Sequence, residues 1–160
     1  MIVNLVPVEA LSDQHLKTEY QEIIELCKYL QKKDKYKKVT NPPKTYHFKK
    51  GCDDFFHDKI GHLYNRHWDV RMEMAKRGFK TRQEIKPQAF EEQYLNEWEP
   101  SNKEVRICEK KIVKGLKDKS VNYQWFHKTK KPEFFEKLMQ SSDLVRDQIM
   151  KKELGITDDE

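Results

Sequence analysis

Ser12-Asp13-Gln14-His15-Leu16-Lys17-Thr18-Glu19-Tyr20-Gln21-Glu22-Ile23 carries the first regular pattern in the chain. Pro7 keeps what precedes it extended or turned, because its ring fixes φ and removes a hydrogen-bond donor. Ser12 or Asp13 can then cap a helix by accepting the amide protons that a first turn leaves unpaired. Beyond the cap, Leu16, Tyr20, Ile23, Cys27 and Leu30 recur at helical spacing, which predicts a helix from here to about Lys33. His15 and Glu22, seven positions apart, fall within about 20° of each other on one half-exposed flank of it.

Working outward, Lys32 to Lys50 holds eight lysines threaded with Tyr36, Tyr46 and Phe48 and broken by Asn41-Pro42-Pro43. The proline pair ends any helix, so this is a long basic loop. Phe56, Ile60, Leu63, His67, Val70 and Met74 form a second helical stripe, with Asp53 or Asp54 as cap and Gly78 as stop. His67 lies within that stripe and reads as a core histidine. Residues 80 to 100 are polar and irregular, with room for a short helix around Phe90 to Leu95.

Ser101 and Glu104 have capping-box spacing and open a third helix. Val105, Cys108, Ile112 and Leu116 lie on one side of it. Lys103, Arg106, Lys110, Lys114 and Lys117 lie on the other, five cations with no facing acid. A basic stripe is often only a solvated face, but this one suits a phosphate backbone. Asn122-Tyr123-Gln124-Trp125-Phe126-His127-Lys128 sets aromatics beside cations, an arrangement that either stacks on bases or covers a core. Pro132 to Glu160 adds an expected extra helix and the acidic end Asp158-Asp159-Glu160.

The expected fold is therefore all-α: one compact domain of three principal helices with long loops, over residues 1–131, plus a C-terminal helical extension at 132–160. Charged residues make up 37% against 36% apolar, as long amphipathic helices require, while eight Phe, seven Tyr and three Trp are too many aromatics for disorder. A net charge of +5 leans modestly toward polyanions. Cys27, Cys52 and Cys108 are odd in number and widely spaced, which suggests neither a disulfide framework nor a zinc site and fits a reducing cytoplasm. No apolar run approaches the roughly 20 residues of a membrane span, and the first ten residues lack the features of a signal peptide. The expectation is a cytoplasmic monomer that begins at its mature start.

Asn4-Leu5, Leu11, Asp13-Gln14-His15-Leu16 and Glu19-Tyr20-x-Glu22 together resemble the N-terminus of the phage-type endonuclease V, or pyrimidine-dimer DNA glycosylase, family. Phe55-Phe56-x-Asp58-Lys59 and Lys76-Arg77-Gly78-Phe79 form a second matching block, and Arg106-x-x-Glu109-Lys110 and the 122–128 segment match more loosely. The resemblance implies an N-terminal α-amine that attacks the deoxyribose of a damaged nucleotide, assisted by a helix glutamate at Glu22. No metal or organic cofactor is implied; the partner is double-stranded DNA carrying a damaged or modified base. Family members commonly lose their first methionine. Here the register places Met1 itself at the nucleophile, and the bulky Ile2 disfavours its removal.

Catalytic Met1 and Glu22 are thus expected, with DNA contacts at Gln14, His15, Lys103, Arg106, Lys110, Lys114, Lys117, Tyr123 and Trp125. His15 taken alone also suits a hydrogen-bonded structural role. The family's arginine after the nucleophile is replaced by Ile2, and those flanking the glutamate by Gln21 and Glu25. These departures keep three rivals open: the same chemistry on another damaged or hypermodified base, a non-catalytic DNA-binding relative, and a structural or interaction protein built on the C-terminal helix.

Overall fold

The computed structural model describes residues 3–36, 39–48 and 51–156, without side chains at 34–36. Met1, Lys37, Lys38, Lys49, Lys50 and the acidic end at 158–160 lie outside the described residues. The fold is all-α, its only sheet among those residues being one antiparallel pair of two-residue strands.

Helix α1 spans Asp13–Tyr36, slightly longer than the stripe predicted. Of the two candidate caps Ser12 serves, its Oγ accepting the His15 N–H at 3.0 Å. Leu16, Ile23, Leu26 and Leu30 are buried, so the apolar stripe faces the core as its spacing demands.

Helix α2 spans Ile60–Lys76 and departs from the expectation only at its start. Asp53 and Asp54 do not cap it. They open a separate 3₁₀ turn, Asp53–Phe56, which buries Phe55 and Phe56 side by side before Lys59 becomes the real cap residue. Just inside the new start, Gly61 admits a close neighbour. A Cβ there would stand 2.8 Å from the Leu95 carbonyl, because the 95–96 segment runs across the first turn of α2. Gly78, at φ +84°, ends the helix in the left-handed conformation that a side chain disfavours. His67 is 1% exposed, its Nε2 donating to the Tyr20 carbonyl at 3.1 Å and its ring stacked on Tyr20. It is a core histidine.

Residues 80 to 100 contain two short 3₁₀ turns, Pro87–Ala89 and Glu92–Tyr94, in place of one short helix. Helix α3, Asn102–Leu116, opens with the expected capping box, both reciprocal bonds of Ser101 and Glu104 being present. Strands β1, Gln124–Trp125, and β2, Lys128–Thr129, form a tight hairpin. The C-terminal extension folds as two helices rather than one, α4 at Pro132–Gln140 and α5 at Asp143–Leu154. Ser142 divides them, accepting the Val145 N–H as a new cap.

One apolar cluster joins the N-terminal segment, α1, α2, α3, Trp125 and, from α4, Phe135, Leu138 and Met139. At its centre the Arg77 side chain is 0% exposed. It pairs with Asp13 at 3.0 Å and Glu73 at 2.9 Å and donates to the carbonyls of Val8, Glu9 and Leu11. Asp13 in turn accepts the N–H groups of Phe126 and His127 at 3.1 and 2.9 Å, the two hairpin residues with positive φ. Non-glycine residues in that conformation cost about 1–2 kcal/mol each, and the carboxylate offsets the cost. The two sequence blocks around Asp13 and Arg77 are therefore halves of one buried clamp. No helix among the described residues is long and apolar enough to cross a membrane.

Candidate active site and DNA-facing surface

Three consecutive residues of the N-terminal segment are tied down by three different elements. The Val3 N–H donates to Tyr46 Oη at 2.8 Å, from the basic loop. Asn4 Nδ2 donates to Glu19 Oε1 at 2.9 Å, on α1. The Leu5 N–H donates to Cys108 Sγ at 3.3 Å, on α3. Each anchor is itself held. Tyr46 sits among Phe48, Phe55, Phe56 and Trp98, and its N–H reaches Glu104 at 3.4 Å. Glu19 receives a two-pronged bond from Arg66 at 2.7 and 3.0 Å, and Arg66 also donates to the Val6 carbonyl at 2.6 Å.

Against this segment lies a cleft of about 190 Å³ lined by Asn4, His15, Thr18, Glu22, Lys111 and Ile112, with Glu19 at its inner wall. His15 and Glu22 do share one flank of α1. Two carboxylates thus reach the cleft, and their surroundings divide them. Glu19 is 1% exposed and both its oxygens are engaged by Asn4 and Arg66. Glu22 is half-buried at the cleft wall. The first is a structural anchor, and the second stays partly exposed at the cleft wall.

His15 Nδ1 lies 2.9 Å from Ser12 Oγ, and its ring stacks on Tyr123 at 4.9 Å. Burial disfavours its cation and pulls its pKa below the ordinary histidine value. Lys111, not singled out in the sequence, supplies the cleft's cation; its Nζ bonds the Phe48 carbonyl and so also pins the basic loop to α3.

Two expected DNA contacts are spent inside the protein. Gln14 donates to the Asn122 carbonyl at 2.8 Å and accepts the Gln124 N–H at 3.0 Å, so its amide holds the hairpin. Trp125 is 1% exposed, with Nε1 bonded to the Glu9 carbonyl at 2.8 Å. It is core, because the hairpin folds its aromatic face inward over α4, where Phe134 meets it edge-on. Tyr123 is half-buried on His15 at the rim of the cleft.

Lys103, Arg106, Lys110, Lys114 and Lys117 are all exposed. Their face is not free of acids: Glu109 of α3 itself and Glu136 of α4 stand in the same groove. The first is half-buried, and burial pushes its carboxyl above the usual glutamate range. The second a helical projection of α3 alone cannot see. On α1, Gln21 donates to Glu25 at 3.0 Å and Glu25 pairs with Lys28 at 3.5 Å, closing the flank where the resemblance implies arginines. Beyond Gln21, about 100° further from Glu22, a depression of about 280 Å³ is lined by Tyr20, Gln21, Lys80, Arg82 and Gln83. Its strap is fixed by Tyr20 Oη, which accepts the N–H groups of Arg82 and Gln83 at 3.1 and 2.8 Å.

The sequence singled out none of Tyr46, Glu19, Arg66, Cys108 and Lys111 as site residues. Glu19 stood within the matching block, and only its spacing three before Glu22 hinted at the same flank. Among the described residues no three His, Cys, Asp or Glu side chains converge as a metal site.

No curated protein matches the chain. The family described as pyrimidine dimer DNA glycosylase matches over residues 1–87, which hold the N-terminal segment, α1 with Glu19 and Glu22, Tyr46, Arg66 and Arg77. With more than half of its length matched, and with five of the seven residues that line the cleft inside the match, the chain belongs to the pyrimidine dimer DNA glycosylase family, a family of DNA repair.

Proposed function

We propose that the protein is a bifunctional pyrimidine-dimer glycosylase and abasic-site lyase, with the Met1 α-amine as nucleophile and Glu22 as the assisting carboxylate. The observation that carries this reading is the threefold anchoring of Val3, Asn4 and Leu5 beside the Glu22 cleft. Two fully extended residues limit the amine to about 7 Å from the Val3 nitrogen along the chain. An α-amine ordinarily titrates at about pH 7.7 to 8.0, so roughly a tenth is free base at pH 7, against well under a thousandth of a lysine.

The free amine attacks C1′ of the deoxyribose. The base leaves with the bonding pair and takes up a proton; the sugar opens to an imine. Loss of a C2′ proton then expels the 3′ phosphate. Glu22 stabilises the positive charge that develops on the sugar and carries the protons of these steps. Lys111 binds phosphate across the cleft, and neutral His15 with Tyr123 forms its rim. The duplex also contacts Lys103, Arg106, Lys110, Lys114 and Lys117 of α3. Reaching the sugar requires unstacking. The resemblance implies that the base opposite the lesion is extruded, and the depression beside Tyr20 and Gln21 has the room and the cations to hold one nucleotide.

Borohydride trapping on a duplex with an abasic site tests the reading. An adduct located by mass spectrometry on the Met1 amine, lost in Glu22→Gln, is expected. Binding without any adduct would replace the enzyme by a non-catalytic DNA-binding relative.

The Gln21–Glu25–Lys28 chain on α1 favours a second reading, the same chemistry on another damaged or hypermodified base, because it leaves an acid where the lesion's phosphates would lie. A panel of modified duplexes decides between the two. Strong preference for cyclobutane dimers sinks the second.

A further inference from the structure

Helix α2 buries Leu63, His67, Val70 and Met74 and turns an apolar stripe the other way. Tyr64, Trp68, Met72 and Ala75 fall within about 80° of one another around the helix. Trp68 is 46% exposed and Met72 40%. Single exposed apolar side chains are ordinary on a protein surface. Two large ones a helical turn apart, in the middle of a helix, make a continuous face. Trp68 is also held outward. The Arg71 guanidinium lies 5.2 Å from the centre of its ring and bonds Glu84 at 3.3 Å. Arg71 is 9% exposed, and its Nε and Nη2 are buried with no hydrogen-bond partner among the described residues. Native folds seldom keep such donors; here they belong to the prop that keeps a large aromatic ring on the surface.

The charge around this stripe is opposite in sign to that of the whole chain. Residues 84–99 hold five acids and one lysine, in a chain of net charge +5. They run back along α2: Glu84 meets Arg71, the 87–89 turn touches the helix, and Glu97 accepts from Asn65 at 3.2 Å. On the other flank a depression of about 280 Å³ opens beside Met72 and Asp69, with Glu9 and Lys76 on its walls. Arg66 and Glu73, which also line it, are paired with Glu19 and Arg77. Two acids there face one cation, so acids stand on both flanks of the stripe.

The sign excludes a phosphate backbone or an anionic lipid surface, both of which these acids repel. A stable dimer takes about 20–30 residues a side around an apolar core, whereas this face offers two exposed apolar side chains on one helix. What fits is narrow, cationic and apolar along one edge. We propose that the outer face of α2 docks a basic amphipathic helix of another protein. Its apolar side chains, four apart, lie on Trp68 and Met72, and a lysine or arginine enters the depression that Glu9 and Asp69 line. Tryptophan and arginine are among the side chains enriched where binding energy concentrates. The cleft is built on α1 and α3, and α1 packs on the buried side of α2. The partner therefore leaves the cleft open, and the site does not rest on the glycosylase reading.

The probe is a synthetic peptide of about 15 residues, about 22 Å of helix, with leucine at helical spacing and lysine on its flanks. It carries fluorescein and is titrated with the full chain in fluorescence anisotropy, beside a second peptide with glutamate in place of each lysine. The lysine peptide should bind about ten-fold tighter or more, by a margin that shrinks with added salt. Trp68→Ala should weaken it about ten-fold. Asp69→Lys should weaken it about three- to ten-fold, an effect lost at high salt. Both residues are exposed, so Tm should stay that of the unaltered chain. Trp68→Phe keeps a ring over Arg71 and should keep binding, yet lose the blue shift of tryptophan emission that the peptide causes. Equal affinity of the two peptides, or equal affinity of the lysine peptide for Trp68→Ala and the unaltered chain, overturns the proposal. So does self-association in sedimentation that Trp68→Ala abolishes, which gives the face to a second copy.

Discussion

Tyr46→Phe removes one oxygen and should separate aim from grip. The phenylalanine ring keeps the edge contacts with Phe56 and Trp98 and the stacking on Phe55, so packing is retained. What disappears is the acceptor for the Val3 N–H, 2.8 Å away at a residue 0% exposed. A buried donor left unpaired costs about 1–3 kcal/mol. For a domain of this size each kcal/mol lowers Tm by about 2–4 °C. The Asn4 and Leu5 ties remain, so the segment stays docked while its first residues lose their aim. A misplacement of about 1 Å can cost about a hundred-fold in rate. Single-turnover trapping on an abasic duplex, well below Tm, should therefore slow about ten- to a hundred-fold while the Kd for the same duplex stays within about two-fold. An unchanged trapping rate in a destabilised protein would refute the reasoning and reduce Tyr46 to a structural residue. A parallel loss of binding would place the loop in the DNA grip.

The two carboxylates of the cleft should separate cleanly. Glu22→Gln is expected to abolish trapping with a Tm change under about 2 °C, whereas Glu19→Gln breaks a buried pair and should lose about 3–5 kcal/mol of stability, read by denaturant unfolding. Arg77→Met leaves Asp13 and Glu73 buried without their cation and should cost at least as much, with the hairpin amides of Phe126 and His127 losing hydrogen-exchange protection first. The His67 pKa is held down to about 4 by burial, against an ordinary value near 6.5. Between those values the unfolded chain binds a proton that the folded chain refuses, so stability falls as pH drops from about 6.5 to 4, by up to about 3 kcal/mol for this residue. His67→Gln, which can still donate to the Tyr20 carbonyl, should make the pH curve shallower over that window and leave the part contributed by His62, which burial lowers to about 4 in the same way.

Helices α1, α2 and α3 were legible because each carries an apolar stripe long enough to set its phase, and the capping box at Ser101 marked a boundary outright. The start of α2 was not: the 95–96 backbone packs against Lys59 and Gly61 there, a contact between distant segments. The split between α4 and α5 rests on one serine cap within a continuous amphipathic run. In the site, the flank shared by His15 and Glu22 follows from helical arithmetic alone. Trp125 and Gln14 read as surface contacts because an aromatic–cation mixture and a glutamine on a half-exposed helix look the same whether they meet DNA or a hairpin. Arg66, Arg77 and Glu19 look like ordinary surface charges in a chain that is 37% charged, and Asp13 like a helix cap. Only the fold reveals that Asp13, Glu19 and Arg77 are buried and that the Arg66 side chain is 10% exposed.

The Leu5 amide rests on the sulfur of Cys108, and that thiol also reaches the Asn4 side chain at 3.7 Å. Cys108 is 1% exposed, and burial pushes its pKa up to about 11. An alkylating reagent can therefore reach it only when the N-terminal segment lifts off α3. The molecule carries its own clock for that event: the rate of Cys108 labelling reports how often the N-terminal segment leaves α3, with no engineered cysteine. Cys27, on α1, and Cys52, whose thiol donates to the Thr45 carbonyl at 3.4 Å, are also buried. They provide the internal reference against which local lifting is told from global unfolding. If DNA seats the N-terminus more firmly, the Cys108 clock should slow relative to both.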